Sequence, residues 1–97
     1  MKLNIPPKYQ KDIEIATNLL KNEGCQSIYL FGSLVTGKIH RNSDIDIGIK
    51  GLPPESFFHV YAKLDNDLLN AVDLVDFDEN TKLYDLLDSL GEVIKIG

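Results

Sequence analysis

Ile28-Tyr29-Leu30-Phe31-Gly32-Ser33 and, after a ten-residue spacer, Asp44-Ile45-Asp46-Ile47-Gly48-Ile49 are the two stretches that decide the fold. Ile28, Leu30 and Phe31 read as a short apolar strand that leaves through a Gly-Ser turn. The second stretch alternates with period two, so Asp44 and Asp46 point the same way while the isoleucines point the other. Two ionised carboxylates held side by side repel one another unless a cation sits between them. Hard cations such as Mg²⁺ are bound through one or two carboxylates together with substrate phosphates. The pairing therefore points to phosphate chemistry.

Working outward, Ile13, Ala16 and Leu20 mark the buried face of a helix after Pro6-Pro7, and Gly24 stands where a helix C′ residue belongs. Ser27 to Phe31 is the first strand. Residues 33–42 are rich in glycine, hydroxyl and basic side chains and predict a short helical turn plus a loop. Asp44 to Lys50 is the second strand, ended by Gly51 and Pro53-Pro54. Phe57, Tyr61, Leu64 and Leu68 fall at helical spacing, which predicts a long helix from Pro54 to Leu69. Ala71 to Val75 reads as a third strand. Asn80 is the expected N-cap of a last helix with a buried stripe at Leu83, Leu86, Leu87 and Leu90 and an end at Gly91. Val93 to Ile96 adds a final strand. Helices interleaved with strands give an α/β fold, a sheet covered by helices.

The 97 residues are expected to form one domain, 1–97, small but able to bury a core. The 43% apolar and 26% charged residues exclude a disordered chain. A net charge of −5 and a pI near 4.8 make nucleic acid a poor default partner. Cys25 is the only cysteine, and no apolar run reaches membrane-spanning length, so a cytoplasmic location with no membrane contact is expected.

Gly32-Ser33, the spacer and Asp44-x-Asp46, set within His40-Arg41-Asn42-Ser43-Asp44-Ile45-Asp46-Ile47, resemble the signature of the DNA polymerase β-like nucleotidyltransferases, in particular their minimal nucleotidyltransferase (MNT) branch. Val72-Asp73-Leu74-Val75-Asp76 is similar to the segment that carries the family's third carboxylate. The resemblance runs from about Ile28 to Ile96 and implies a mixed β-sheet. It implies that Asp44, Asp46 and Asp73 are catalytic and metal-binding, holding two Mg²⁺ ions with ATP as substrate, and that Asp73 doubles as the base for the attacking hydroxyl. Two such ions, roughly 3.5–4 Å apart, stabilise the attacking and leaving oxygens of an in-line displacement. Gly32 and Ser33 would cradle the triphosphate, since a Cβ at position 32 would obstruct its approach. Arg41 would neutralise part of its charge, with Lys38 and His40 nearby. One departure is that Leu34 and Thr36 stand in the loop where family members often carry arginines.

The activity implied is transfer of AMP from ATP to a hydroxyl. The acceptor expected from the family is a tyrosine of a HEPN-domain toxin, with this chain the antitoxin; a homodimer or a hetero-oligomer is open. The alternative is a binding antitoxin or scaffold that neutralises its partner by contact alone. Taken singly, each aspartate reads better as a solvated acid at a strand end, and Gly32-Ser33 as an ordinary strand-to-helix turn; it is their combination that favours the site. Asp76, Asp78 and Glu79 do not form an EF-hand loop, because Thr81 and Leu87 occupy the positions of its glycine and glutamate. They read instead as acids at a helix N-terminus. His59 is expected to be exposed, and Cys25 to be a small buried residue.

Overall fold

The computed structural model describes residues 5–39 and 43–97. Helix α1 (Pro7–Asn22) starts on Pro7, whose fixed φ suits a first turn, and ends at Glu23 with Gly24 at φ +89°. Strand β1 (Ser27–Phe31) follows, then one helical turn, α2 (Ser33–Thr36), and strand β2 (Ile45–Lys50). A 3₁₀ turn at Pro54–Ser56 leads into α3 (Phe57–Asp67), then β3 (Val72–Asp76), α4 (Thr81–Leu90) and β4 (Val93–Lys95). The expected long helix is thus a 3₁₀ turn plus a shorter α-helix, which stops at Asp67 because Leu68 is extended.

The sheet order is β3-β2-β1-β4. β1 lies antiparallel to both β2 and β4, while β2 and β3 are parallel, so the sheet is mixed as expected. The parallel pair follows from the connection, since α3 supplies the crossover that parallel neighbours require. Alternation divides the sheet into two faces. Ile28, Leu30, Ile45, Ile47, Ile49, Val72 and Leu74 are buried in one core with Ala16 and Leu20 of α1 and Val60 and Leu64 of α3.

The opposite face carries Tyr29, Phe31, Asp46, Gly48 and Asp73 by register. Here Phe77 stacks against Tyr29, Phe31 and Tyr84 at ring-centroid distances of 5.7, 5.4 and 5.3 Å. Gly48 is what admits Phe77, because a Cβ at that position would overlap the ring. The Lys50 ammonium closes the cluster 3.5 Å from the centroid of the Tyr84 ring.

Helix α4 departs from its expected burial. Asn80 is its N-cap and Gly91 its left-handed terminus, but none of its residues is buried, and Leu86 and Leu90 are 55% and 58% exposed. The reason is geometric. Tyr84 is the α4 residue that joins the aromatic layer, so Leu83 and Leu87 are only half-buried beside it and Leu86 and Leu90 face outward. The helix-terminus reading of the acids is also corrected, since the first turn of α4 holds no acid. Asp76 and Asp78 build the preceding turn: Asp76 accepts from the Asp78 N–H (2.9 Å), and Asp78 accepts from the Gly51 N–H (2.8 Å). Cys25 is buried and His59 exposed, as expected.

Candidate functional site

The Gly-Ser turn and the aspartate strand meet directly. Phe31, the last residue of β1, pairs with Asp46, so the chain turns at Gly32 immediately beside that carboxylate. Gly32 has φ +75° and ψ −149°, a conformation open essentially to glycine alone. A Cβ on Gly32 would fall on the Asp46 carboxylate. Glycine is therefore required here by the backbone and by the neighbouring acid. The turn closes through Val35 and Thr36 N–H groups donating to the Gly32 carbonyl (3.1 and 3.0 Å) and Gly37 N–H donating to Ser33 (2.9 Å). The Ser33 and Leu34 N–H groups lie ahead of these bonds, at the end of the turn where donors are free to meet an anion.

Parallel register sets Asp46 opposite Asp73 on the same face. Asp44, just before β2, is exposed, and Asp46 is half-buried. Burial first, then the charges of Asp73 and Asp44, push the Asp46 carboxyl up to about 6. A group so shifted marks a place short of positive charge. Among the described residues, no three acidic, histidine or cysteine side chains converge into a ready-made metal cage. The donor chemistry still suits a hard divalent cation, because Asp46 carries unfavourable charge from two other carboxylates that an ion would relieve. Lys38 is exposed in the loop after α2, while His40 and Arg41 lie outside the described residues.

Three residues that position this site escape the sequence motifs. Tyr9 of α1 donates its hydroxyl to the Ser43 carbonyl (3.0 Å), fixing the peptide that leads into Asp44. Asp12, 1% exposed, accepts from the N–H groups of Leu69 (3.0 Å) and Asn70 (2.7 Å) and from the Asn70 amide (2.9 Å). That carboxylate fastens the loop that delivers β3. Tyr61 of α3 donates to the Val72 carbonyl (3.1 Å) and stands 3.4 Å from the Asp73 carboxylate. Asp12 left a signal in the sequence, since it falls four residues before Ala16 and eight before Leu20 on the apolar face. Beyond Asp73, Phe57, Phe58, Leu74, Val75 and Leu83 line an apolar groove of about 500 Å³.

Residues 13–95 match the family model described as Polymerase beta, Nucleotidyltransferase. The chain belongs to that family. Solved relatives of this nucleotidyltransferase include toxin-antitoxin structures. A chain of a crystal structure described as a toxin-antitoxin with AMP-PNP is 33% identical, with 87% of this chain and 70% of that one covered at a TM-score of 0.68. An MntA-HepT toxin-antitoxin with two Asp-to-Glu changes two positions apart gives 30% identity, coverage of 87% and 70%, and a TM-score of 0.64. A tri-AMPylated Shewanella oneidensis HEPN toxin in complex with MNT antitoxin gives 30% identity over 73% of this chain and 56% of that one, with a TM-score of 0.50. No protein of curated function matches the nucleotidyltransferase. None of its described helices is long and apolar enough to cross a membrane.

Proposed function

We propose that this nucleotidyltransferase, acting as one minimal domain, transfers AMP from ATP to a tyrosine hydroxyl of a HEPN-domain partner and thereby serves as its antitoxin. The observation that carries the reading is the junction of Gly32 with Asp46 and of Asp46 with Asp73, which brings the Gly-Ser turn beside two carboxylates that share one face. The relatives add support: one is described with AMP-PNP, one with an AMPylated HEPN toxin, and one with paired aspartate changes at the spacing of Asp44-x-Asp46.

Asp44, Asp46 and Asp73 would hold Mg²⁺. When bound, the metal would screen the triphosphate and stabilise the attacking and leaving oxygens. The N–H groups at the start of α2, with the Ser33 hydroxyl, orient the phosphates, and Arg41 offsets their charge. Asp73 takes the proton of the acceptor hydroxyl as its oxygen bonds to the α-phosphorus; the bond to the β-phosphate bridging oxygen breaks, and pyrophosphate leaves. Titration calorimetry with AMP-PNP, with and without Mg²⁺, tests the site. Binding that needs Mg²⁺ and is lost in Asp44→Ala/Asp46→Ala is the expected result, followed by an AMP mass gain on a co-expressed HEPN partner. A partner left unmodified in the presence of ATP and Mg²⁺ would refute the transferase reading.

The exposed leucines of α4 and Phe58, which is 82% exposed, favour a second reading, neutralisation by contact. Asp46→Ala separates the two, since contact alone would survive it.

A further inference from the structure

Asp73 sits on an edge strand, yet the peptide groups on both sides of it are engaged. The Tyr61 hydroxyl donates to the Val72 carbonyl at 3.1 Å, and the Leu74 N–H is directed at the Tyr61 phenol oxygen. These are the outward donor and acceptor flanking residue 73, the pair that a further strand would use. The same phenol stands 3.4 Å from Asp73 Oδ1. We infer that Tyr61 is a positioning residue for Asp73, holding its backbone by capping the strand edge and aiming its carboxylate towards Asp46. The role rests on the reading of Asp73 as a metal ligand.

Two observations support it. The Tyr61 ring is fixed by an edge-on contact with Phe57 at 5.9 Å, so the hydroxyl is delivered by a packed side chain. Val72 and Leu74 are both buried towards the core, so the peptide groups that Tyr61 meets belong to packed residues.

Tyr61→Phe keeps the ring and removes the hydroxyl. The test is a double-mutant cycle in the full chain, combining Tyr61→Phe with Asp73→Asn, and reads Mn²⁺ affinity by electron paramagnetic resonance in the presence of AMP-PNP, with thermal unfolding alongside. Loss of the one hydrogen bond to the Val72 carbonyl predicts Mn²⁺ affinity weakened by about three- to tenfold in Tyr61→Phe. The same change is expected to shift affinity by less than about twofold in the Asp73→Asn background, because the coupling is then gone. Equal losses in both backgrounds, or none in either, would overturn the role. Wild-type protein that fails to bind Mn²⁺ with AMP-PNP would overturn the metal-site reading itself, and the Tyr61 role with it.

Discussion

Replacing Asp46 by asparagine is expected to stabilise the metal-free protein while disabling its site. The carboxyl is raised from 3.8 to about 6, by burial and then by Asp73 and Asp44. Between these values the native state holds a proton that the unfolded chain has released, so stability falls as pH rises through the window from about 4 to 6 and levels off above it. Below both values Asp46 is protonated in either state and contributes nothing to the difference. At about 1.4 kcal/mol for each tenfold change in proton affinity, the difference corresponds to about 3 kcal/mol. Solvent reaches a half-buried carboxylate, and screening reduces that to about 1–2 kcal/mol. Asparagine is nearly isosteric, so Gly32 is not displaced. Urea unfolding followed by circular dichroism in EDTA, at pH 4 to 8, measures the effect. The variant should gain about 1–2 kcal/mol at pH 7, and the gap between the two proteins should close as pH falls from 6 to 4. A variant less stable than wild type at pH 7, or a gap independent of pH, would refute the electrostatic account of the site.

Gly32→Ala should destabilise by about 1–3 kcal/mol and abolish AMP-PNP binding, because φ +75° is strained for alanine and its methyl meets the Asp46 carboxylate; urea unfolding and calorimetry read the two effects. Gly48→Ala should displace the Phe77 ring at a loss of about 1–3 kcal/mol, seen as a lower urea midpoint and a changed near-ultraviolet spectrum. Asp12→Ala leaves the Leu69 and Asn70 N–H groups without their acceptor and should cost about 2–4 kcal/mol, with faster amide exchange at both positions under native conditions.

The strands were legible because they obey one rule. Ser27 to Phe31 and the run to Lys50 alternate or cluster apolar residues, and the structure places β1 on those bounds and begins β2 one residue later. The sheet's parallel pair came from family resemblance, since periodicity carries no strand order. Helix α4 misled because a leucine stripe at helical spacing shows which residues share a face and leaves open what that face meets; Tyr84 and Phe77, separated by seven residues, took the sheet instead. At the candidate site, Gly32, Asp44, Asp46 and Asp73 were visible as motif residues. Tyr9 and Tyr61 were hidden because each acts through a backbone group away in sequence, 34 and 11 residues distant for the bonds to Ser43 and Val72, while Asp12 showed only as an acid on an apolar helix face, with its partner Asn70 58 residues away. A side chain that serves another residue's peptide leaves no local spacing to read.

The pairing of β2 with β3 makes the core a ruler for the chemistry. Ile45 with Val72 and Ile47 with Leu74 face inwards at the positions that bracket Asp46 with Asp73. A slip of one residue would turn an aspartate into the core and bring an isoleucine or leucine out. The spacing of the acids is therefore enforced by the alternative being an unfolded sheet. Drift that preserves the inward apolar pattern preserves the juxtaposition as well, so a lineage that lost turnover would still carry the two carboxylates face to face unless the aspartates themselves changed. Transplanting such a pair elsewhere needs only two parallel strands whose apolar residues are in phase.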